Sequence, residues 1–275
     1  GSPTAMLLAR KGHRVLLLDS AEFPSDTVST HLIHPPGVAA LQRWGLLTRL
    51  TDTGCPAIRR YSLDFGAFTL SGTPHDSTPA YCPRRTQLDS ILLEAAVEAG
   101  VEVRQGFCVD ELTREGSYVT GIRGRTNGTT TVETARIVIG ADGRRSRVAK
   151  AVSADEYECR DVVQASYYCY FSNLPTDGFE THVRPYRGCA TMPTNDGLTV
   201  LIVGWPIAEF DDYRRDIEGN FMQTLELVPS LAERVRAATR ETRFVGTSVP
   251  GYFRKPYGPG WALVGDAGHN KDFIT

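Results

Sequence analysis

Three aspartates stand where a chain could grip a nucleotide. Asp142 lies within residues 136–150, RIVIGADGRRSRVAK, after the apolar run Ile137-Val138-Ile139 and the break Gly140-Ala141-Asp142-Gly143. Asp266 lies within residues 261–269, WALVGDAGH, after Ala262-Leu263-Val264 and Gly265. Asp19 ends the run Val15-Leu16-Leu17-Leu18. A short apolar run closed by glycine reads as a buried strand turning tightly into the next element. At such a turn a carboxylate can accept hydrogen bonds from sugar hydroxyls, and a following helix N-terminus can receive a phosphate. The ordinary alternative is a surface turn with a helix-capping aspartate. Two strand–Gly/Asp–small units in one chain suggest two loops facing one extended ligand.

The elements around these residues follow from periodicity. Residues 2–12 read as a helix, with Ala5, Leu8 and Ala9 at helical spacing, Pro3 in the first turn and Gly12 at the end. With the strand and Asp19 behind it, this is the second half of a βαβ unit. Dinucleotide folds place an acid about 20 residues beyond a Gly-rich turn. Asp19 follows Gly1 by eighteen residues, so Gly1 takes the place of the last glycine of GxGxxG, with Ser2 beside it. Gly-Ser is also what cloning leaves at an N-terminus.

Residues 20–35 form a polar loop carrying His31 and His34, read either as active-site histidines or as a solvated pair. A helix is expected over 36–47, then a small antiparallel excursion over 51–82. An amphipathic helix opens at Pro83-Arg84-Arg85, with Leu88, Leu92, Ala95 and Ala96 inward. Val101–103 is a further parallel strand. Residues 109–137 alternate around Gly116 and Asn127-Gly128, a strong hairpin signal, and predict a three-stranded meander. Residues 158–206 are β-rich and aromatic, with Asn195-Asp196-Gly197 as a hairpin turn. One aromatic face of this sheet could wall a pocket lined by Tyr168, Tyr170 and Arg184; the alternative is that its aromatics pack on the following helices. Helices are expected over 207–228 and 229–239, a strand over 244–249 and a loop over 253–260.

The 275 residues carry 30 basic and 32 acidic side chains, a formal charge of −2, which implies no nucleic-acid or anionic-membrane partner. No apolar run approaches the roughly 18–20 residues of a membrane span. The start lacks the features of a signal peptide. The six cysteines show no CxxC spacing, so metal ligation is not indicated, and they read as free buried thiols of a cytoplasmic protein.

Taken together, these stretches resemble the FAD-binding fold of the para-hydroxybenzoate hydroxylase-type (group A) flavoprotein monooxygenases and the related geranylgeranyl reductases. Residues 140–149 match that family's GADGxxSxVR motif, with Ala149 at the final Arg position. Residues 265–269 match the start of GDAxHxxxPxxGxG, with Phe273 where the proline is expected. The resemblance implies an α/β fold: a Rossmann-like FAD-binding domain, with a parallel sheet and a β-meander insertion, plus an antiparallel-sheet substrate domain. FAD-binding parts are then expected at 1–50, 83–157 and 251–275, an excursion at 51–82 and the substrate domain at 158–250. Both ends would fall inside cofactor-binding loops.

The cofactor contacts implied by the resemblance are Gly1, Ser2, Asp19, Arg85, Val109, Asp142, Gly143, Gly265, Asp266 and Ala267. His31, Tyr168, Tyr170 and Arg184 are candidate substrate-lining residues. The implied activity is NAD(P)H-dependent hydroxylation of a small aromatic or polyketide-like molecule through a flavin C4a-hydroperoxide, with the chemistry borne by flavin rather than by a side-chain nucleophile. Reduction of a prenyl-type double bond and an inactive fragment are the alternatives. A halogenase fits less well, because Gly204-Trp205-Pro206-Ile207 does not match the Trp-x-Trp-x-Ile-Pro element.

Overall fold

The computed structural model describes residues 1–74 and 78–271. The position where the resemblance expects a proline, Phe273, lies outside them. The chain divides into two compact units: Gly1–Ser25, Asp89–Asp161 and Val249–Thr275 form the first, and Asp26–Leu88 with Val162–Ser248 the second. The first division therefore falls near residue 25 rather than at 50. The reason is local to the second unit: Ile33 bridges to Tyr81, and Leu32 packs on the cluster of Ile58, Ala80 and Tyr170.

In the first unit the helix Ser2–Arg10 buries Ala5 and Met6, rather than the expected Leu8 and Ala9, and Gly12 follows it at φ +83°. The parallel sheet is made of two short ladders rather than one continuous one. Leu16–Leu18 pairs in parallel with Glu102–Arg104. Val138–Gly140 pairs in parallel with Trp261–Leu263, with Gly140 opposite Leu263. The meander Cys108–Glu115, Tyr118–Thr126, Thr129–Thr134 is antiparallel throughout, with Asn127 and Gly128 at positive φ in the expected turn. Residues 253–260, expected as a loop, are partly strand: Gly251–Arg254 pairs with Glu156–Arg160 on one side and His269–Asn270 on the other. A core of Val119, Val148, Ala149, Trp261, Leu263 and Ala267 lies beneath the turns that follow the second ladder.

The second unit is built on one eight-stranded sheet. Gln164–Ser172, Thr199–Pro206, Arg187–Pro193 and Phe179–Arg184 are neighbours in antiparallel order. The turn between Arg187–Pro193 and Thr199–Pro206 is the Asn195-Asp196-Gly197 segment, with Asp196 and Gly197 both at positive φ, as a tight hairpin of the primed type requires. The excursion hairpin Tyr61–Asp64/Thr69–Gly72 joins this sheet, because Tyr61–Asp64 pairs in parallel with Phe179–Arg184. The helix expected over 36–47 is two helices, Pro35–Arg43 and Leu47–Thr51, divided where Gly45 takes φ +77°. The region 207–239 holds Phe210–Arg215, Ile217–Leu225 and Pro229–Ala237.

Strand alternation sorts the aromatics. Tyr167, Cys169 and Phe171 enter one core with Trp205 of the neighbouring strand and with Phe221, Leu225 and Leu231 of the covering helices. Tyr168 and Tyr170 enter another with Ile58, Cys82, Met192 and Val200. The reading in which aromatics pack on the following helices is thus realised on one face, while Tyr168 and Tyr170 are buried on the other. Cys55, Cys82, Cys169 and Cys189 are buried free thiols, whereas Cys108 and Cys159, expected to be buried, are exposed. No helix among the described residues is long and apolar enough to cross a membrane.

Candidate functional site

The first unit brings two of the three aspartate turns together. Because Val138–Gly140 and Trp261–Leu263 are adjacent and parallel, the turns at 140–143 and 264–267 leave the same sheet edge. The Val264 amide donates to the Gly140 carbonyl at 2.9 Å and seals the pair. Gly140 has to be glycine for packing: a Cβ there would stand 2.8 Å from both Leu263 Cδ2 and Val148 Cβ.

The two carboxylates differ in what they do. Asp142 turns back on its own chain, accepting from the Ser146 hydroxyl at 2.5 Å, the Arg147 amide at 2.7 Å and the Val148 amide at 3.2 Å. It caps the helix Arg147–Ala151 together with Ser146, whose hydroxyl accepts from the Ala149 amide. The capping alternative therefore describes its side chain. What the turn exposes is backbone: Gly143, at φ +74°, has open space where a Cβ would stand. Asp266 is exposed, and its carboxylate has no hydrogen-bond partner among the described residues. Gly265 before it, at φ +59°, also faces open space, while Ala267 is fully buried and anchors the turn.

The helix Ser2–Arg10 begins at Gly1 with no side-chain cap and no acid in its first turn, so its N-terminal dipole is uncompensated by its own residues. A Cβ on Gly1 would stand 3.6 Å from Ala141 Cβ and 3.7 Å from Leu17 Cδ1. That helix start therefore lies beside both the 140–143 turn and the strand leading to Asp19. Asp19 accepts from the Ala21 amide through Oδ1, leaving Oδ2 without a hydrogen bond among the described residues. Val109 is part of the meander, and its carbonyl accepts from Arg147 Nη1 at 2.7 Å. An unsatisfied carboxylate, open glycine backbones and an uncapped helix start are the donor and acceptor set that ribose hydroxyls and a diphosphate need, so these residues fit an FAD.

Sequence reasoning missed the groups that join the turns. Tyr252 donates to the carbonyls of Asp266 at 2.9 Å and Arg144 at 3.2 Å, and Arg254 Nη1 donates to those of Ala267 at 3.0 Å and Arg144 at 3.3 Å. The signal available was Tyr-x-Arg at strand spacing, which puts both side chains on one face.

The second unit gathers three of its four expected lining residues. His31, 3% exposed and at φ +65°, sits 2.6 Å through Nε2 from the Tyr170 hydroxyl. Its ring meets Tyr168 edge-on at 4.6 Å. The solvated reading of this histidine is therefore overturned, because Tyr168 and Tyr170 close over it. Its Nδ1 is buried without a hydrogen-bond partner among the described residues. Burial first, and then the cations Arg85 and Arg84 against the opposing charge of Asp26, push its pKa down from 6.5 to about 4, so it is neutral near pH 7. Burial likewise pushes Tyr168 up to about 12 and Tyr170 higher. Arg84 stacks over the Tyr170 ring at 4.7 Å, and Arg85 opens the helix Arg85–Glu98.

Arg184 does not join this group. It bonds Asp64 at 2.7 Å and the Leu227 carbonyl at 3.0 Å, and Asp64 also holds His182 at 3.0 Å, so Arg184 ties the excursion hairpin to the sheet. An open depression of about 290 Å³ along that hairpin, from Tyr61 to Pro74, is lined mainly by apolar and small polar side chains and has no part in either group.

Residues 1–269 match the FAD binding domain family. Over 157 residues, 55% of this chain, the sequence is 32% identical to the menaquinone reductase of Mycolicibacterium smegmatis, covering 37% of that protein. Over 168 residues, 58% of this chain, it is 30% identical to the phenazine 1,6-dicarboxylic acid hydroxylase of Lysobacter antibioticus, covering 41% of it. The chain is thus matched over less than half the length of these relatives. The structure of the myxobacterial chondrochloren halogenase, described as a variant of the FAD-dependent halogenases, superposes with a TM-score of 0.90 at 25% identity, covering 99% of this chain and 67% of that one.

Proposed function

The chain belongs to the FAD binding domain family, a family of FAD-dependent oxidoreductases, and on that premise we propose that it serves an NAD(P)H-dependent monooxygenase hydroxylating a small aromatic or polyketide-like substrate. When bound, FAD supplies the electron-transfer and oxygen chemistry. The chain's own residues bind and orient. Asp266 and Asp19 offer carboxylate oxygens to sugar or ribityl hydroxyls. The start of the helix Ser2–Arg10 offers its dipole to the diphosphate, and Gly143 and Gly265 let backbone approach closely, on a turn anchored by Ala267. Asp142 acts one step back, by holding the helix that shapes its turn.

The observation that carries the aromatic-substrate reading is the His31–Tyr170 pair. A neutral imidazole and a phenol at 2.6 Å, on a backbone held in the left-handed region and walled by Tyr168, form a buried polar point in an aromatic surround. Strain of that kind concentrates at functional sites, and such a point can orient one hydroxyl of an aromatic ligand. The hydroxylase relative supports this reading. The likeness to a reductase supports the second one, saturation of a prenyl-type double bond.

The full-length protein separates them. A monooxygenase takes up one oxygen molecule per NAD(P)H oxidised and places one oxygen atom from labelled dioxygen in the product. A reductase saturates its substrate anaerobically. Absence of a flavin visible spectrum removes both.

A further inference from the structure

Tyr252 and Arg254 stand two apart on the strand Gly251–Arg254, and both point at the backbone of the two cofactor turns. Three carbonyls converge on them: Arg144 from the turn after Val138–Gly140, and Asp266 and Ala267 from the turn after Trp261–Leu263. Tyr252, 5% exposed, places one hydroxyl between Arg144 and Asp266. Arg254 places its guanidinium between Arg144 and Ala267, with Nη2 also reaching Arg144 at 3.4 Å. Carbonyl oxygens brought this close repel each other, and the shared donors turn that repulsion into a tie. The pair is itself locked. Arg254 stacks over the Tyr252 ring at 4.2 Å, and Glu156 takes Nε at 2.9 Å and Nη2 at 2.8 Å. The strand is fixed by ladders on both edges, and the Arg254 amide donates to the Gly268 carbonyl at 2.8 Å.

We propose that Tyr252 and Arg254 are positioning residues for the flavin nucleotide: they set the separation of the 140–144 and 265–268 turns before FAD arrives. The proposal rests on the FAD reading above. Neither side chain is asked to touch the cofactor. They act through Arg144, Asp266 and Ala267, and so place the Asp266 carboxylate and the open Gly143 backbone relative to one another. A site whose two halves are already spaced loses less freedom on binding. Without the brace the same contacts form at a greater ordering cost.

The test uses the full-length protein and the variants Tyr252→Phe, which keeps the ring and the Arg254 stacking, Arg254→Lys, which keeps the charge but not the fork, and Arg254→Met. Three quantities are measured: the FAD dissociation constant by titrating apoprotein well below its melting temperature, the visible circular dichroism of bound flavin, and the apoprotein melting temperature. Tyr252→Phe is expected to weaken FAD about fivefold to tenfold, the size of one or two lost hydrogen bonds, with an altered flavin dichroism. Arg254→Lys is expected to rescue little of what Arg254→Met loses. Ile122→Val, in the meander, is the comparison for a purely structural loss, and it should lower melting without changing flavin dichroism.

The proposal is overturned if Tyr252→Phe binds FAD within twofold of wild type with unchanged dichroism. It is equally overturned if affinity follows melting temperature along the same line as Ile122→Val. Should Arg254→Met fail to fold, Tyr252→Phe decides alone. Wild-type protein that takes up no FAD overturns the FAD reading itself, and the brace with it.

Discussion

Acidification should destabilise this protein through His31 before it does so through any depressed carboxylate. The histidine titrates at about 4 when folded and near its ordinary 6.5 when unfolded. A folded value below the unfolded one means that the unfolded chain binds a proton the folded chain refuses, so stability falls as pH falls through that window. At about 1.36 kcal/mol per pH unit the full effect is about 3 kcal/mol, of which about 2 kcal/mol falls between pH 7 and 5. Asp64 is held below the usual carboxylate range by Arg184 and then His182, and Glu180 is held there against the opposing pull of burial by His182 and Arg234. Both are ionised above their ordinary values of 3.8 and 4.5, so their stability is lost only as pH drops below that range.

The perturbation is His31→Asn, since asparagine tolerates the left-handed backbone. At neutral pH the variant should be less stable by about 1–3 kcal/mol, because it strands the buried Tyr170 hydroxyl. Its stability should then be flatter with pH, so that the two proteins converge near pH 5. Urea unfolding of both, at a series of pH values, reads this directly. Parallel curves that keep a constant gap from pH 7 to 5 would refute the reasoning.

Three further outcomes follow from the turns. Asp142→Ala should lower apoprotein stability by about 0.5–2 kcal/mol, the worth of a helix cap. Asp266→Asn should leave apoprotein melting nearly unchanged while weakening FAD about tenfold, as expected for one lost charge-assisted hydrogen bond; calorimetry and flavin titration separate the two. Gly140→Ala should cost about 1–3 kcal/mol through overpacking, seen as a lower urea midpoint, because its Cβ meets Leu263 and Val148.

The paired strand–turn units at 138–143 and 261–267 were legible because their grammar is local. A β-branched run, a glycine and an acid sit within a few residues, and the strands bearing them pair in parallel as the pattern demands. The direction of the Asp142 side chain was not legible from the strand pattern, although Ser146 four residues on is the neighbour that claims it. His31 read as one of a polar loop's histidines because its burial depends on Tyr170, far along the chain. Arg184 was read as a pocket-lining residue because its partner Asp64 comes from the excursion hairpin, far back in the chain. The strand Gly251–Arg254 was hidden by the Pro/Gly-rich residues after it, and its partners Glu156–Arg160 and His269–Asn270 come from elsewhere in the sequence. Hydrophobic period finds an element that buries one face, and it does not find a short strand whose work is hydrogen bonding to turns.

The alternation along Gln164–Ser172 has a consequence for how this protein can change. Odd positions, Tyr167, Cys169 and Phe171, are committed to the helix layer, and even positions, Tyr168 and Tyr170, to the side that holds His31. Replacements at even positions therefore alter the surroundings of His31 while leaving the helix-facing layer intact. Shifting the strand by a single residue would exchange the two sets at once.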